Sequence, residues 1–138
     1  MMDTELFSIE AEQAILGDIL LKPNIVSRVS GLVRPEDFYR PAHKDTFAVM
    51  QQMALEGASI DIVNLAERLR KVGKLDTVGG IPFITFLGRL EATAAGVDEY
   101  CATVRAYSKR RRIAEIARQV LAGASDMKKD LATLENEL

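Results

Sequence analysis

Apolar side chains in this sequence return every third or fourth residue, and no segment alternates apolar with polar at every second one. That periodicity restricts the chain to helices packed on one another, because it gathers the apolar groups along one face of a helix and scatters them over both faces of a strand. Ser8 is placed to cap a helix in which Ile9, Gln13, Leu16 and Leu20, flanked by Ala14, Ile15 and Ile19, form a wide inward face. Pro23 breaks that helix and starts a short one with Ile25, Val26 and Val29 inward, which Gly31 ends. Farther on, Asp61 caps a helix with Ile62 or Val63, Ala66, Leu69 and Val72 inward and Gly73 as its stop. The stretch DTVGGIPF reads as a turn, with Pro82 opening the next helix. The expected fold class is all-α, a compact multi-helix bundle followed by a helical hairpin.

Residues 34–47, RPEDFYRPAHKDTF, concentrate two prolines, three aromatic rings and the only histidine. Punctuation accounts for them. The residue before Pro35 is pushed out of the helical region, and Pro41 opens a helix whose His43, Phe47, Met50 and Ala54 share a face. Phe38 and Tyr39 are expected to plug the corner between. His43 is the one side chain with an ordinary pKa near neutrality, with Glu36 and Asp45 near it in sequence, but no nucleophile accompanies it. Glu10 and Glu12, like Glu36 and Asp37, do not share a helix face and read as solvated charge. Pro35, Phe38, Tyr39, Pro41 and His43 therefore read as a structural corner, and no catalytic residue is expected.

From Val97 to about Ala124 the chain offers no proline and no glycine before Gly123, so it reads as one long helix. After GASD a second helical segment places Leu131, Leu134 and Leu138 on one stripe. The expected organisation is a globular helical body over 1–94 and a helical hairpin over 95–138, its second arm truncated where the sequence ends. Along the long helix the apolar face changes sides. Val97, Tyr100, Val104 and Tyr107 share one face, whereas Ile113, Ile116, Ala117, Val120 and Ala124 lie on the order of half a turn away. Ile113, Ile116 and Val120 are expected against the second arm, around Leu131 and Leu134, or against a neighbouring subunit's hairpin. Tyr100, Val104 and Tyr107 are expected to face the body or another protomer.

Charge and composition narrow the function. The net charge is −2, made of 10 basic and 13 acidic side chains over residues 1–96, 6 and 3 over 97–125, and 2 and 4 over 126–138. A net acidic chain does not wrap nucleic acid unaided, and no more than weak, salt-sensitive DNA affinity is expected. Lys109 to Arg112 are four consecutive basic residues pointing in four directions, so at most two of them can track one phosphate backbone; ion pairing to the acidic second arm is the plainer expectation. The phosphate-binding pattern GxxxxGK[ST] is absent, since Gly73-Lys74 is followed by leucine. The single cysteine, Cys101, excludes an internal disulfide and a thiolate metal cluster and suits a small buried apolar role. No apolar run approaches the ~20 residues of a membrane span, and the N-terminus carries acids where a signal peptide carries lysines, so a cytoplasmic chain is expected.

Five blocks in order, IEAEQAILGDILL, RPEDFYRPAHKDTF, SIDIVNLAERLRKVGKL, VGGIPFITFL and TAAGVDEYCATVR, resemble the N-terminal domain of DnaB-type replicative DNA helicases. The resemblance implies a non-catalytic collar without a cofactor of its own, ATP and magnesium belonging to a motor domain that is not in this chain. It also implies self-association as a dimer, or a trimer of dimers in the hexamer, and binding of primase or a helicase loader during DNA replication. The hairpin residues Tyr100, Val104, Tyr107, Ile113, Ile116, Val120, Leu131 and Leu134 are then the candidates for self-association or a partner. Phe83, Arg105 and Arg112 are the candidates for a primase-facing surface. The alternative reading is a stand-alone helical nucleic-acid-binding regulator using the basic helix 105–118.

Overall fold

The computed structural model describes residues 5–90 and 96–138. Among them every regular element is a helix: α1 (Ile9–Leu21), α2 (Val26–Ser30), α3 (Pro41–Leu55), α4 (Ile62–Lys71), α5 (Leu75–Val78), α6 (Gly80–Arg89), α7 (Val97–Ser125) and α8 (Leu131–Asn136). Single 3-10 turns at Pro23–Ile25 and Pro35–Asp37 precede α2 and α3. The chain is all-α.

Local chemistry sets several of the helix starts. Ser8 Oγ accepts the Ala11 N–H at 3.2 Å and an Asp61 carboxylate oxygen accepts the Asn64 N–H at 2.8 Å, each satisfying a donor that the first turn of a helix leaves unpaired. Pro41 sits in the first turn of α3, where its missing N–H costs nothing. Arg68, Arg70 and Lys71 end α4, where positive charge meets the negative end of the helix dipole.

The core lies between α1, α3, α4, α6 and the first turns of α7. Ile15, Leu16 and Ile19 of α1 are completely buried, as are Phe47 and Met50 of α3, Leu65 and Leu69 of α4, and Ile84 and Leu87 of α6. Each such side chain contributes roughly 1.5–3 kcal/mol by leaving water. α1 lies at the centre, against both α6 and α7. Gly17 lets the first of these contacts close, since a Cβ there would stand 3.0 Å from the Leu87 carbonyl oxygen.

Several faces differ from the expected ones. In α3 it is Met53 that is buried and Ala54 that is exposed. In α4 Ile62, Val63 and Val72 are exposed and Leu65 takes the inward place with Ala66 and Leu69. In each helix the buried stripe narrows to the positions that neighbouring elements cover. The turn expected over DTVGGIPF contains a single helical turn, α5, that buries Leu75 and Val78. Gly79 and Gly80, at φ +120° and +72°, reverse the chain, and α6 begins at Gly80 instead of Pro82. The second arm is shorter than expected. α8 covers six residues, and Leu131 and Leu138 are 76% and 89% exposed. Leu134 alone packs inward, over Gly123 near the end of α7, where an added Cβ would stand 2.8 Å from Leu134 Cδ2.

Candidate interaction surface

The corner before α3 is held from α1 by one carboxylate. Glu12, 1% exposed, accepts the Tyr39 N–H at 2.6 Å through Oε2, and through Oε1 the His43 Nδ1–H at 2.7 Å and the Arg40 N–H at 3.4 Å. The acceptor fixes the hydrogen on Nδ1 of His43. The ring of His43 is wholly buried and stacks 5.8 Å from that of Phe83, and its Nε2 has no hydrogen-bond partner among the described residues. Phe38 is fully buried against Phe47, at 5.1 Å between ring centroids. Glu12 is thus not the solvated charge expected of it, and Glu36 and Asp45 do not reach His43. Nothing in the sequence around Glu12 marks it apart from its place beside Ala11 and Ile15 on the inward face.

Tyr39 does not plug the corner. It is 45% exposed and lies flat on Phe7, the two ring centroids 4.1 Å apart, with the Arg111 guanidinium 5.4 Å above its own centroid. Arg111 also donates to the Leu6 carbonyl at 2.7 Å and to the Asp37 carbonyl at 2.8 Å. One arginine of the basic run therefore ties the N-terminal segment and the corner to the middle of α7. Ser108 adds a hydrogen bond to Asp37 Oδ1 at 2.8 Å, and Arg28 of α2 pairs with Asp98 at the start of α7. Among the described residues, no ion pair joins Lys109, Arg110 or Arg112 to the second arm, whose own Lys129 pairs with Glu137 at 2.7 Å.

α7 does change faces. Its first half buries Val97, Cys101 and Val104 against the body, with Tyr100 and Tyr107 half-buried at the edge of that stripe. Cys101, not Tyr100, occupies the middle of the buried row. Burial, with the Asp98 and Asp18 carboxylates beside it, pushes its thiol up to about 12, so it stays protonated and inert. Asp18 on α1 is itself completely buried, neither of its oxygens has a hydrogen-bond partner among the described residues, and burial raises its pKa above the ordinary carboxylate value. In the second half Ile113 and Ile116 are 67% and 44% exposed. The second arm leaves Ile113 open because it turns back only over the last turns of α7, where Ile116, Val120 and Gly123 line a shallow groove with Lys129 and Glu137.

Of the candidates for a primase-facing surface, Phe83 is half-buried against His43, whereas Arg105 and Arg112 are exposed beside the corner at Arg34–Asp37. Among the described residues no group of His, Cys, Asp and Glu side chains is arranged to hold a metal ion, and no helix is long and apolar enough to cross a membrane.

Known proteins share this fold. The chain is 36% identical over 113 residues to the replicative DNA helicase DnaB of Geobacillus stearothermophilus, an alignment covering 82% of this chain and 25% of that protein. It is 34% identical over 110 residues to the replicative DNA helicase DnaC of Bacillus subtilis, covering 80% and 24%. The chain therefore spans about a quarter of the length of the curated relatives it matches. The crystal structure of the N-terminal domain of DnaB helicase from Mycobacterium tuberculosis superposes with a TM-score of 0.89 at 28% identity, covering 97% of both chains. A solved DnaB-like replicative helicase, described with its interactions with primase, matches at a TM-score of 0.73 and 26% identity over 94% of this chain and 34% of that one. Residues 4–106 match the model of the DnaB-like helicase N-terminal domain, so the chain belongs to that family.

Proposed function

We propose that this chain is the non-catalytic collar of a replicative helicase, pairing with copies of itself through α7 and α8 and offering primase or a helicase loader a docking surface during DNA replication. The observation that carries the reading is the uncovered apolar stripe of α7. Ile113 and Ile116 project from a 29-residue helix, about 43 Å long at 1.5 Å per residue, beyond the part that packs on the body. Exposed aliphatic groups in register on one helix face suit a second helix of the same kind. The similarity to a helicase described with primase supports primase as the partner. The reading takes no cofactor in this chain; ATP and magnesium belong to a motor domain outside it.

The test is the mass of the chain by light scattering over a concentration series, for the native protein and for Ile113→Asp/Ile116→Asp. The native chain is expected to gain mass with concentration and to bind primase. The variant is expected to stay monomeric with its helicity intact. A native chain that remains a monomer at every concentration and ignores primase would overturn the proposal.

A further inference from the structure

Beside the corner, the 3-10 turn at Pro35–Asp37 and the middle of α7 form the walls of an open groove of about 640 Å³. Arg34, Glu36 and Asp37 line one wall. Arg105, Ser108, Lys109, Arg111 and Arg112 line the other. Among the described residues, no apolar side chain lines it.

Most of the acidic capacity here is already engaged. Asp37 accepts the Arg34 N–H at 2.8 Å and the Ser108 hydroxyl at 2.8 Å, leaving Glu36 as the exposed carboxylate. On the basic side only Arg111 is committed, to the two backbone carbonyls and Tyr39. Arg34, Arg105, Lys109 and Arg112 are exposed, have no ion-pair partner among the described residues, and of the four only Arg105 reaches a backbone carbonyl with its side chain, that of Leu32 at 3.4 Å. Arg105, Lys109 and Arg112 stand at i, i+4 and i+7, so they share a face, spaced about 6 Å and 4.5 Å along the helix axis. The row that matters is therefore not the consecutive basic run but this stripe, with Arg34 across the groove.

We infer that this groove binds the sugar-phosphate backbone of a single nucleic-acid strand, through Arg34, Arg105, Lys109 and Arg112. The polar and charged lining favours a polyanion over a protein partner that docks through an apolar centre. A polyanion needs only cations in a row, and guanidinium groups pair with phosphate in a fork. A strand carries one phosphate per about 3.4 Å of duplex axis, and that interval lengthens as a single strand is drawn out, which brings it toward the spacing of the stripe. Among the described residues no aromatic ring lines the groove, so binding is independent of base and dominated by salt. Arg105 and Arg112 then face DNA or RNA and not primase.

The test is fluorescence anisotropy of a short labelled oligothymidylate titrated with the chain at stepped salt. Four phosphate contacts predict a log–log salt slope near −3, so affinity falls roughly fiftyfold between ~50 and ~200 mM salt. Arg105→Ala/Lys109→Ala/Arg112→Ala is expected to flatten the slope by about 2, and Arg112→Glu alone by about 0.7 or more, with helicity unchanged. Arg89→Ala, which removes an exposed arginine on α6, is expected to leave the slope alone. A native chain with no salt-dependent binding overturns the inference, and so do groove variants that bind as the native chain does. Preference for poly-glutamate over the oligonucleotide also overturns it, and identifies an acidic protein segment as the occupant.

Discussion

Replacing Glu12 by alanine removes a carboxylate that exposes almost none of its own surface yet orders the whole corner. Two close donors lose their acceptor, the Tyr39 N–H at 2.6 Å and the His43 Nδ1–H at 2.7 Å, and the weaker Arg40 N–H at 3.4 Å loses a partial one. An unsatisfied buried donor costs about 1–3 kcal/mol, which applies in full to His43 and less to the part-buried Tyr39 N–H, so the two close ones together cost on the order of 3 kcal/mol. That is a large part of the ~5–15 kcal/mol by which a domain of this size is stable. Urea unfolding followed by circular dichroism reads the change directly, and with a slope of ~1–3 kcal/mol per molar the midpoint is expected to fall by roughly 2 M. Glu10→Ala, on the exposed side of the same helix, is expected to stay within about 0.5 kcal/mol of the native chain. Glu12→Gln, which keeps one acceptor oxygen, should fall between the two. A Glu12→Ala midpoint no lower than that of Glu10→Ala would mean that water replaces the carboxylate freely and that the corner does not depend on it.

Two other expectations follow from burial. Asp18 has its folded pKa raised above the ordinary 3.8, so the folded state holds the proton more tightly than the unfolded one. Its contribution is favourable below about that value and is lost as pH rises through the folded pKa. Asp18→Asn is therefore expected to stabilise the chain at neutral pH relative to the native protein and to reduce that advantage in acid, as melts at the two pH values would show; equal effects at both would remove Asp18 from the pH dependence. Gly17→Ala sets a methyl 3.0 Å from the Leu87 carbonyl oxygen, a backbone atom that has little room to yield. It is expected to cost about 1–3 kcal/mol in the same unfolding assay, against the slight gain that alanine brings to an open helix position.

What the sequence determined by itself is what neighbouring residues decide. The helical class, the caps at Ser8 and Asp61, the proline entries to the corner and α3, and the change of face along α7 all follow from dihedral limits and the 3.6-residue repeat, which act over a few positions. The family was equally legible, because its blocks and their order are written in the chain. Tertiary structure alone decided which polar groups were spent inside. Glu12 meets the Tyr39 N–H and His43 across 27 and 31 residues of chain, and Arg111 reaches Leu6 across 105, distances over which spacing carries no information. It also decided how far each apolar stripe is covered: Cys101 went inward ahead of Tyr100, while Ile113 and Leu131 stayed in water. Periodicity says which side of a helix is apolar, but burial depends on whether another element reaches that side, and the second arm is too short to reach the middle of α7.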